Sequence, residues 1–202
     1  MFDLDQFIAD CRAALAADHS HKLVHEVVAR AVSDPIGVLR QLGEPKRAQL
    51  QKLYHAPDLT ILNVIWAPTM TIMPHNHRMW AVIGLYTGRE DNIFWRRIKG
   101  DLNGRVEAAG ARALGVRDAE SLGLNVIHSV TNPIPRLTGA IHVYGGDFFA
   151  AERSEWDPET LREERFDAER AVRQMQAVTC AEQRRKHWRG QGTPTKLLAH
   201  LR

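Results

Sequence analysis

Two histidines one residue apart, His75 and His77, stand in the run TIMPHNHRMWAVIGLYTG. In a β-strand, residues i and i+2 point to one face, so both imidazoles would project together. Apolar, β-prone residues surround the pair. Pro74 precedes it, as at a strand start or edge, and Gly88 follows where the strand should turn. A third histidine, His128, lies in a second strand-like run, NVIHSVTN. Three neutral imidazoles converging from two strands make a metal site with open positions, and such a site can do chemistry. The spacing does not separate iron from zinc, nickel or manganese. The competing reading is two surface histidines on an edge strand, since ten histidines in 202 residues produce close pairs by chance.

The elements that must position these residues are short strands. From Leu59 the chain turns β-branched and apolar in LTILNVIWA. Runs such as WAVIGLY, NIFWRRI, LGLNVIH and LTGAIHVYGG follow, punctuated at Gly88, Gly100, Asn103-Gly104 and Gly123. Many short strands with regular turns predict a barrel or sandwich. Trp66, Trp80 and Trp95 read as its core or wall. Before it, Leu4, Phe7, Ile8, Cys11 and Leu15 recur at helical spacing, as do Leu23, Val24, Val27, Val28 and Ala31. Asp34 and Pro35 predict the cap and first residue of another helix, which Gly43 and Pro45 end. Asp157-Pro158 predicts a last helix with a stripe of Leu161, Ala168, Val172 and Met175, broken by GQGTPT. The expectation is a single domain over 1–202: helices over 1–50, a β-barrel over 55–155 and a C-terminal helix over 157–190. The helices would cover the outer face and one end of the barrel.

Composition sets bounds on function. No apolar run approaches the roughly 20 residues that span a bilayer. The opening MFDLDQFIAD is acidic and amphipathic, unlike a signal peptide, so a cytoplasmic protein with no membrane partner is expected. Cys11 and Cys180 form no CxxC pattern and no disulfide framework. The net charge is +3, and much of the basic excess lies late, in QRRKHWRG. No aromatic-interleaved basic motif or nucleic-acid module accompanies it, so no nucleic-acid partner is expected. A homo-oligomer stays open.

The two histidine segments resemble the two cupin motifs: H-x-H followed by Gly88, and H-x-x-x-N from His128 to Asn132. More closely, PHNHRMWAVIGLYTG with IHSVTNP and IHVYGG resembles the cysteine dioxygenase-like thiol dioxygenases, nearest the bacterial 3-mercaptopropionate dioxygenases. The resemblance covers about residues 55 to 155. It implies a mainly β fold with flanking α-helices, a cupin double-stranded β-helix or jelly-roll barrel. It also implies a mononuclear non-haem iron(II) held by His75, His77 and His128. The usual cupin glutamate after His77 is absent, with Ala81 and Val82 there, which fits the all-histidine subset. Glu90, beyond the turn, reads as a solvated charge.

The resemblance further implies catalytic roles for His142 and Tyr144, which stand at i and i+2 in IHVYGG. Read alone, they are a core pair with satisfied polar tips. The family serine two residues before His142 is Ala140 here, so one hydroxyl is missing. A substrate carboxylate would meet Arg153, whose competing reading is a surface charge paired with Glu152 or Glu155. Arg47 is only a loose counterpart of an early arginine in the cysteine-specific enzymes. The cysteine that crosslinks to tyrosine in some members is missing, so Tyr144 is expected uncrosslinked. The implied activity is oxidation of a small thiol carboxylic acid by dioxygen to a sulfinate. The alternatives are another three-histidine cupin dioxygenase that cleaves carbon–carbon bonds, or a cupin that binds metal or ligand without turnover.

Overall fold

The computed structural model describes residues 1–167 and Arg170. Three helices come first: α1 (Leu4–Ala17), α2 (Lys22–Val32) and α3 (Pro35–Leu42). Asp34 caps α3, its carboxylate accepting from the Gly37 amide at 3.0 Å, and Pro35 opens the helix as the sequence predicts. Eleven strands follow among the described residues. They are β1 (Gln49–Ala56), β2 (Leu59–Trp66), β3 (Thr71–Asn76), β4 (Ala81–Thr87), β5 (Arg89–Arg97) and β6 (Val106–Gly115). After these come β7 (Ala119–Leu122), β8 (Ile127–Thr131), β9 (Thr138–Tyr144), β10 (Ser154–Trp156) and β11 (Glu163–Arg165).

The strands form two antiparallel sheets, ordered β1-β2-β9-β4-β7 and β11-β10-β3-β8-β5-β6. From β2 to β5 the chain changes sheet at every step, and again from β6 through β10. That winding is a double-stranded β-helix, mainly β with α-helices flanking it.

Side-chain alternation explains why β2, β4 and β9 read as unbroken apolar runs. Ile61, Ile65, Val82, Tyr86, Ile141 and Val143 face outward and pack under Phe7, Cys11, Val24 and Val28 of the helices. Leu62, Val64, Ile83, Leu85, Ala140 and Tyr144 face inward, toward Ile72 and Val130 of the second sheet. Both faces of these three strands are therefore buried. The helix layer sits close: a Cβ on Gly84 would lie 2.5 Å from Val28 Cγ1 and 2.8 Å from Val32 Cγ1. Of the tryptophans, Trp66 is buried between the sheets, Trp80 packs half-buried against the helical layer, and Trp95 joins a small cluster with Val106, Ile127 and Trp156. Among the described residues no helix is long and apolar enough to cross a membrane.

The structure corrects the expectation of a helix from Asp157. Residues 154–165 form the β10–β11 hairpin, with Ser154 opposite Arg165 and Trp156 opposite Glu163. Asp157 does accept from the amides of Glu159 and Thr160, as a cap would. The turn then reverses, because Leu161 takes the left-handed φ of 54° and its amide closes back on Asp157 O. Trp156 is fully buried and donates Nε1–H to Gly104 O, which ties the hairpin to the loop between β5 and β6. The rest of the expected helix, with Ala168, Val172 and Met175, lies outside the described residues, as do Cys180 and the basic run. The barrel also begins earlier than residue 55, at Gln49, and its second sheet runs on to Arg165.

Candidate metal centre

β3 and β8 pair so that His75 lies directly opposite His128. Residues opposite each other in an antiparallel pair share a face. His77, two residues on, keeps that face. The three rings converge, with centroids 5.0 Å apart for His75 and His77, 4.6 Å for His75 and His128, and 5.0 Å for His77 and His128. All three are buried, and one ring nitrogen from each lies within 4.8 Å of the others. These three histidines can hold a metal ion.

The donor chemistry fits such an ion. His75 Nδ1 lies 2.9 Å from Met73 O. A carbonyl oxygen only accepts, so Nδ1 carries the proton and Nε2 offers a lone pair inward. His77 Nε2 and His128 Nε2 face each other at 3.5 Å. Nitrogens bound at about 2.1 Å to one ion lie within about 4.2 Å of each other, so a shared cation suits this spacing. No carboxylate belongs to the cluster. Burial pushes the His75 imidazolium down to about 4, against the bond to Met73 O. Burial and mutual repulsion push His77 and His128 well below the ordinary range. All three are neutral near pH 7, the form a metal needs.

This burial has a measurable consequence for the metal-free protein. The folded pKa of His75 lies below its unfolded value of about 6.5. Between those values the unfolded chain binds more protons, so stability falls as pH falls from about 6.5 toward about 4. One such group contributes a slope of about 1.4 kcal/mol per pH unit, and His77 and His128 act in the same direction. Urea melts of metal-free protein at pH 7.5, 6 and 5 read this loss. Equal midpoints at all three would show that the histidines do not stay neutral.

His142 and Tyr144 project from β9 into the same interior. His142 Nδ1 lies 3.0 Å from Tyr144 Oη, and the Tyr144 ring stands edge-on to His77 with centroids 5.0 Å apart. Burial pushes the Tyr144 phenol up, so it remains protonated. Ala140 shares this inner face and is fully buried, leaving no hydroxyl there for His142. Asn132 of the second motif serves the fold: its Nδ2 donates to Ala67 O and Arg136 O.

Glu90 is no solvated charge. It is fully buried, and accepts from Trp66 Nε1–H at 2.8 Å and Asn92 Nδ2–H at 3.0 Å. His142 Nε2 stands 3.7 Å from its Oε2, longer than a hydrogen bond but close enough for charge to act. Burial raises the Glu90 carboxyl, yet facing His142 and accepting those donors hold it below its ordinary value. Along β5, Glu90 and Asn92 point inward while Arg89 and Asp91 pair outside at 2.7 Å. The inward face of β5 is thus polar, and Ile93 is exposed. Polarity misleads there; the i, i+2 spacing of Glu90 and Asn92 was the available signal.

Arg153 is half-buried, its guanidinium between two aromatic rings, with Cζ 4.1 Å from the Phe148 centroid and 4.2 Å from that of Phe166. The expected surface partners are engaged elsewhere: Glu152 with Arg165, and Glu155 with Arg170. Among the described residues Arg153 makes no ion pair, and its Nε is buried without a hydrogen-bond partner. Its charge is near enough to act on His75, His77 and Tyr144. Arg153 also lines an open cleft of about 1190 Å³ with Arg78, Asn103 and Glu163. Arg47 is exposed beside Gln49 and is not brought into this group.

No family model matches the chain. Its structure is similar to solved cupins. One is an RmlC-like cupin with a double-stranded β-helix fold from Methanocaldococcus jannaschii, 10% identical, covering 53% of this chain and 87% of that one at a TM-score of 0.43. Another is a Cupin 2 conserved barrel domain protein from Salinispora arenicola, 19% identical, covering 48% and 74% at a TM-score of 0.37. A third is a DMSP lyase from Ruegeria pomeroyi, 17% identical, covering 56% and 53% at a TM-score of 0.43. Each likeness concerns fold, and identities this low transfer no activity.

Proposed function

We propose that this protein is a non-haem iron(II)-dependent dioxygenase that oxidises a small thiol carboxylic acid, such as 3-mercaptopropionate or cysteine, to its sulfinate. The observation that carries the reading is the Arg153 guanidinium, which makes no ion pair among the described residues, beside three neutral histidines. Taking a charge partly out of water without a partner is costly, so a guanidinium held this way suits an anion. A guanidinium fork suits a carboxylate. Iron(II) held by His75, His77 and His128 would supply open positions and the redox capacity for thiol oxidation.

The chain's own residues supply binding and order. The histidines contribute no negative charge, so the centre favours an anionic sulfur. Arg153 holds the far end of the substrate, and proximity lowers the barrier. Phe148 and Phe166 hold the guanidinium in place. The Tyr144 hydroxyl, kept protonated and held by its bond to His142, places its oxygen beside His77, near the reacting group. In the reaction, the thiol and one dioxygen give the sulfinic acid, with both oxygen atoms bonded to sulfur.

The test is direct. Protein loaded anaerobically with one iron(II) per chain is given 3-mercaptopropionate or cysteine and oxygenated buffer. The expected result is sulfinate formed mole for mole with oxygen consumed. Silence across a panel of thiol carboxylates, with iron bound, would reject the dioxygenase and leave a metal-binding module. Oxygen uptake with an enol or diketone instead would favour carbon–carbon cleavage.

A further inference from the structure

Glu90 is buried, anionic, and outside the set of residues that hold a metal or meet a substrate. It lies where the two sheets face each other, with His128 reached through Asn92 on β5 and His142 on β9 opposite. We propose that Glu90 is a positioning residue that sets the direction of the protons on both arms of the site. The proposal rests on the three-histidine metal reading and is independent of the thiol chemistry.

The reasoning begins with what a carboxylate can do. Ionised, it accepts and never donates. The side chain of Asn92 must therefore turn its Nδ2–H toward Glu90, as it does at 3.0 Å. That leaves its Oδ1 pointing the other way, 2.7 Å from His128 Nδ1. An amide oxygen also only accepts, so His128 carries its proton on Nδ1 and its lone pair on Nε2. That lone pair faces His77 and the shared site. Without the carboxylate, the amide loses its reason to choose. A flipped Asn92 would offer N–H to Nδ1 and drive the ring proton to Nε2, where a metal must bind.

The second arm follows the same rule. Oε2 of Glu90 faces His142 Nε2 at 3.7 Å, so the favourable place for the ring proton is Nε2. With its proton at Nε2, the ring presents a lone pair at Nδ1, 3.0 Å from Tyr144 Oη. Tyr144 donates its O–H there and turns its oxygen lone pairs elsewhere. Trp66 Nε1–H, at 2.8 Å, anchors the carboxylate between the two arms. One accept-only group thus orders a candidate ligand on one sheet and a His–Tyr pair on the other.

The experiment reads protons directly. Metal-free full-length protein with ¹⁵N-labelled histidine is examined at pH 8 by long-range ¹H–¹⁵N correlation, with His128→Gln and His142→Gln spectra for assignment. Wild-type His128 is expected as the Nδ1–H form and His142 as protonated at Nε2. In Glu90→Gln, which keeps shape but can also donate, the Nε2–H form of His128 is expected to appear. Zinc(II) affinity, read by competition with a chromophoric chelator, should fall about 10- to 100-fold. Glu90→Asp, still accept-only, should restore the wild-type tautomer. Unchanged tautomers and affinity in Glu90→Gln would overturn the proposal. If that variant does not fold, the wild-type spectrum decides: His128 protonated at Nε2, or His142 protonated only at Nδ1, overturns it. Expected tautomers in a wild-type protein that takes up no zinc would reject the metal reading and leave the proton placement standing.

Discussion

Replacing His128 with alanine is expected to abolish stoichiometric metal binding. His128 is the cross-strand partner of His75 and faces His77 at 3.5 Å, so it closes a set that the H-x-H pair leaves incomplete. Changing a residue that merely orients a ligand costs about 10- to 100-fold in affinity. Removing a ligand outright should exceed that, with loss of affinity beyond about 100-fold. The readout is metal per chain after dialysis against a weak chelator, together with thermal melts. A ligand at 100 times its Kd stabilises a fold by about 2.7 kcal/mol, so the metal-dependent rise in Tm should vanish in the variant. The substitution also bares Asn92 Oδ1, a buried acceptor, at a cost of about 1–3 kcal/mol. The variant's melting point without metal therefore serves as its own baseline. Undiminished occupancy in a folded His128→Ala protein would mean that the ligands are wrongly assigned.

The second large effect belongs to Arg153. Arg153→Ala should raise KM for a thiol carboxylate about 10- to 100-fold, the value of a charge-assisted hydrogen bond of about 1.5–3 kcal/mol. The rise should leave kcat nearly unchanged, because the guanidinium meets the end of the substrate that does not react. A thiol of similar size without a carboxylate should show no change. Arg153→Lys should fall between, since a point charge keeps attraction but loses the planar fork and the stack on Phe148 and Phe166. A structural role predicts the opposite pattern. Arg153 has no ion-pair partner among the described residues, so replacing it with methionine should hold or raise Tm. An unchanged KM in Arg153→Ala would remove this residue from the pocket.

These two residues show what was legible in the sequence. His75 and His77 could be paired from their spacing, because a strand has period two and needs no further context. Their meeting with His128 was an expectation from its strand-like run and from the family resemblance; the register that sets His75 opposite His128 is a property of strand pairing. For Arg153, both a pocket and a surface ion pair were open from the sequence. The tertiary structure engages Glu152 and Glu155 with other arginines and closes two aromatic rings over the guanidinium. Phe166 reaches it because the segment after Trp156 turns back as a hairpin, against the helix that Asp157-Pro158 predicted. Asp157 accepts from two amides as a helix cap would, but local capping does not decide whether a turn propagates when a buried Trp156 ties the chain to the β5–β6 loop.

Glu90 marks the limit of reading by polarity. Its neighbours Arg89 and Asp91 are charged and outward, and the run looks like a solvated turn. Period two divides the run into two faces but does not say which face is the inside. Apolar residues normally answer that question, and here the interior is polar because the histidine site needs it to be. By itself, the sequence determined the helices before the barrel, the runs of strand and the imidazole pair, since these follow from local geometry and alternation. Only the tertiary structure decided that Glu90 and Asn92 face inward and that Arg153 makes no ion pair among the described residues, because both depend on groups far apart in the chain.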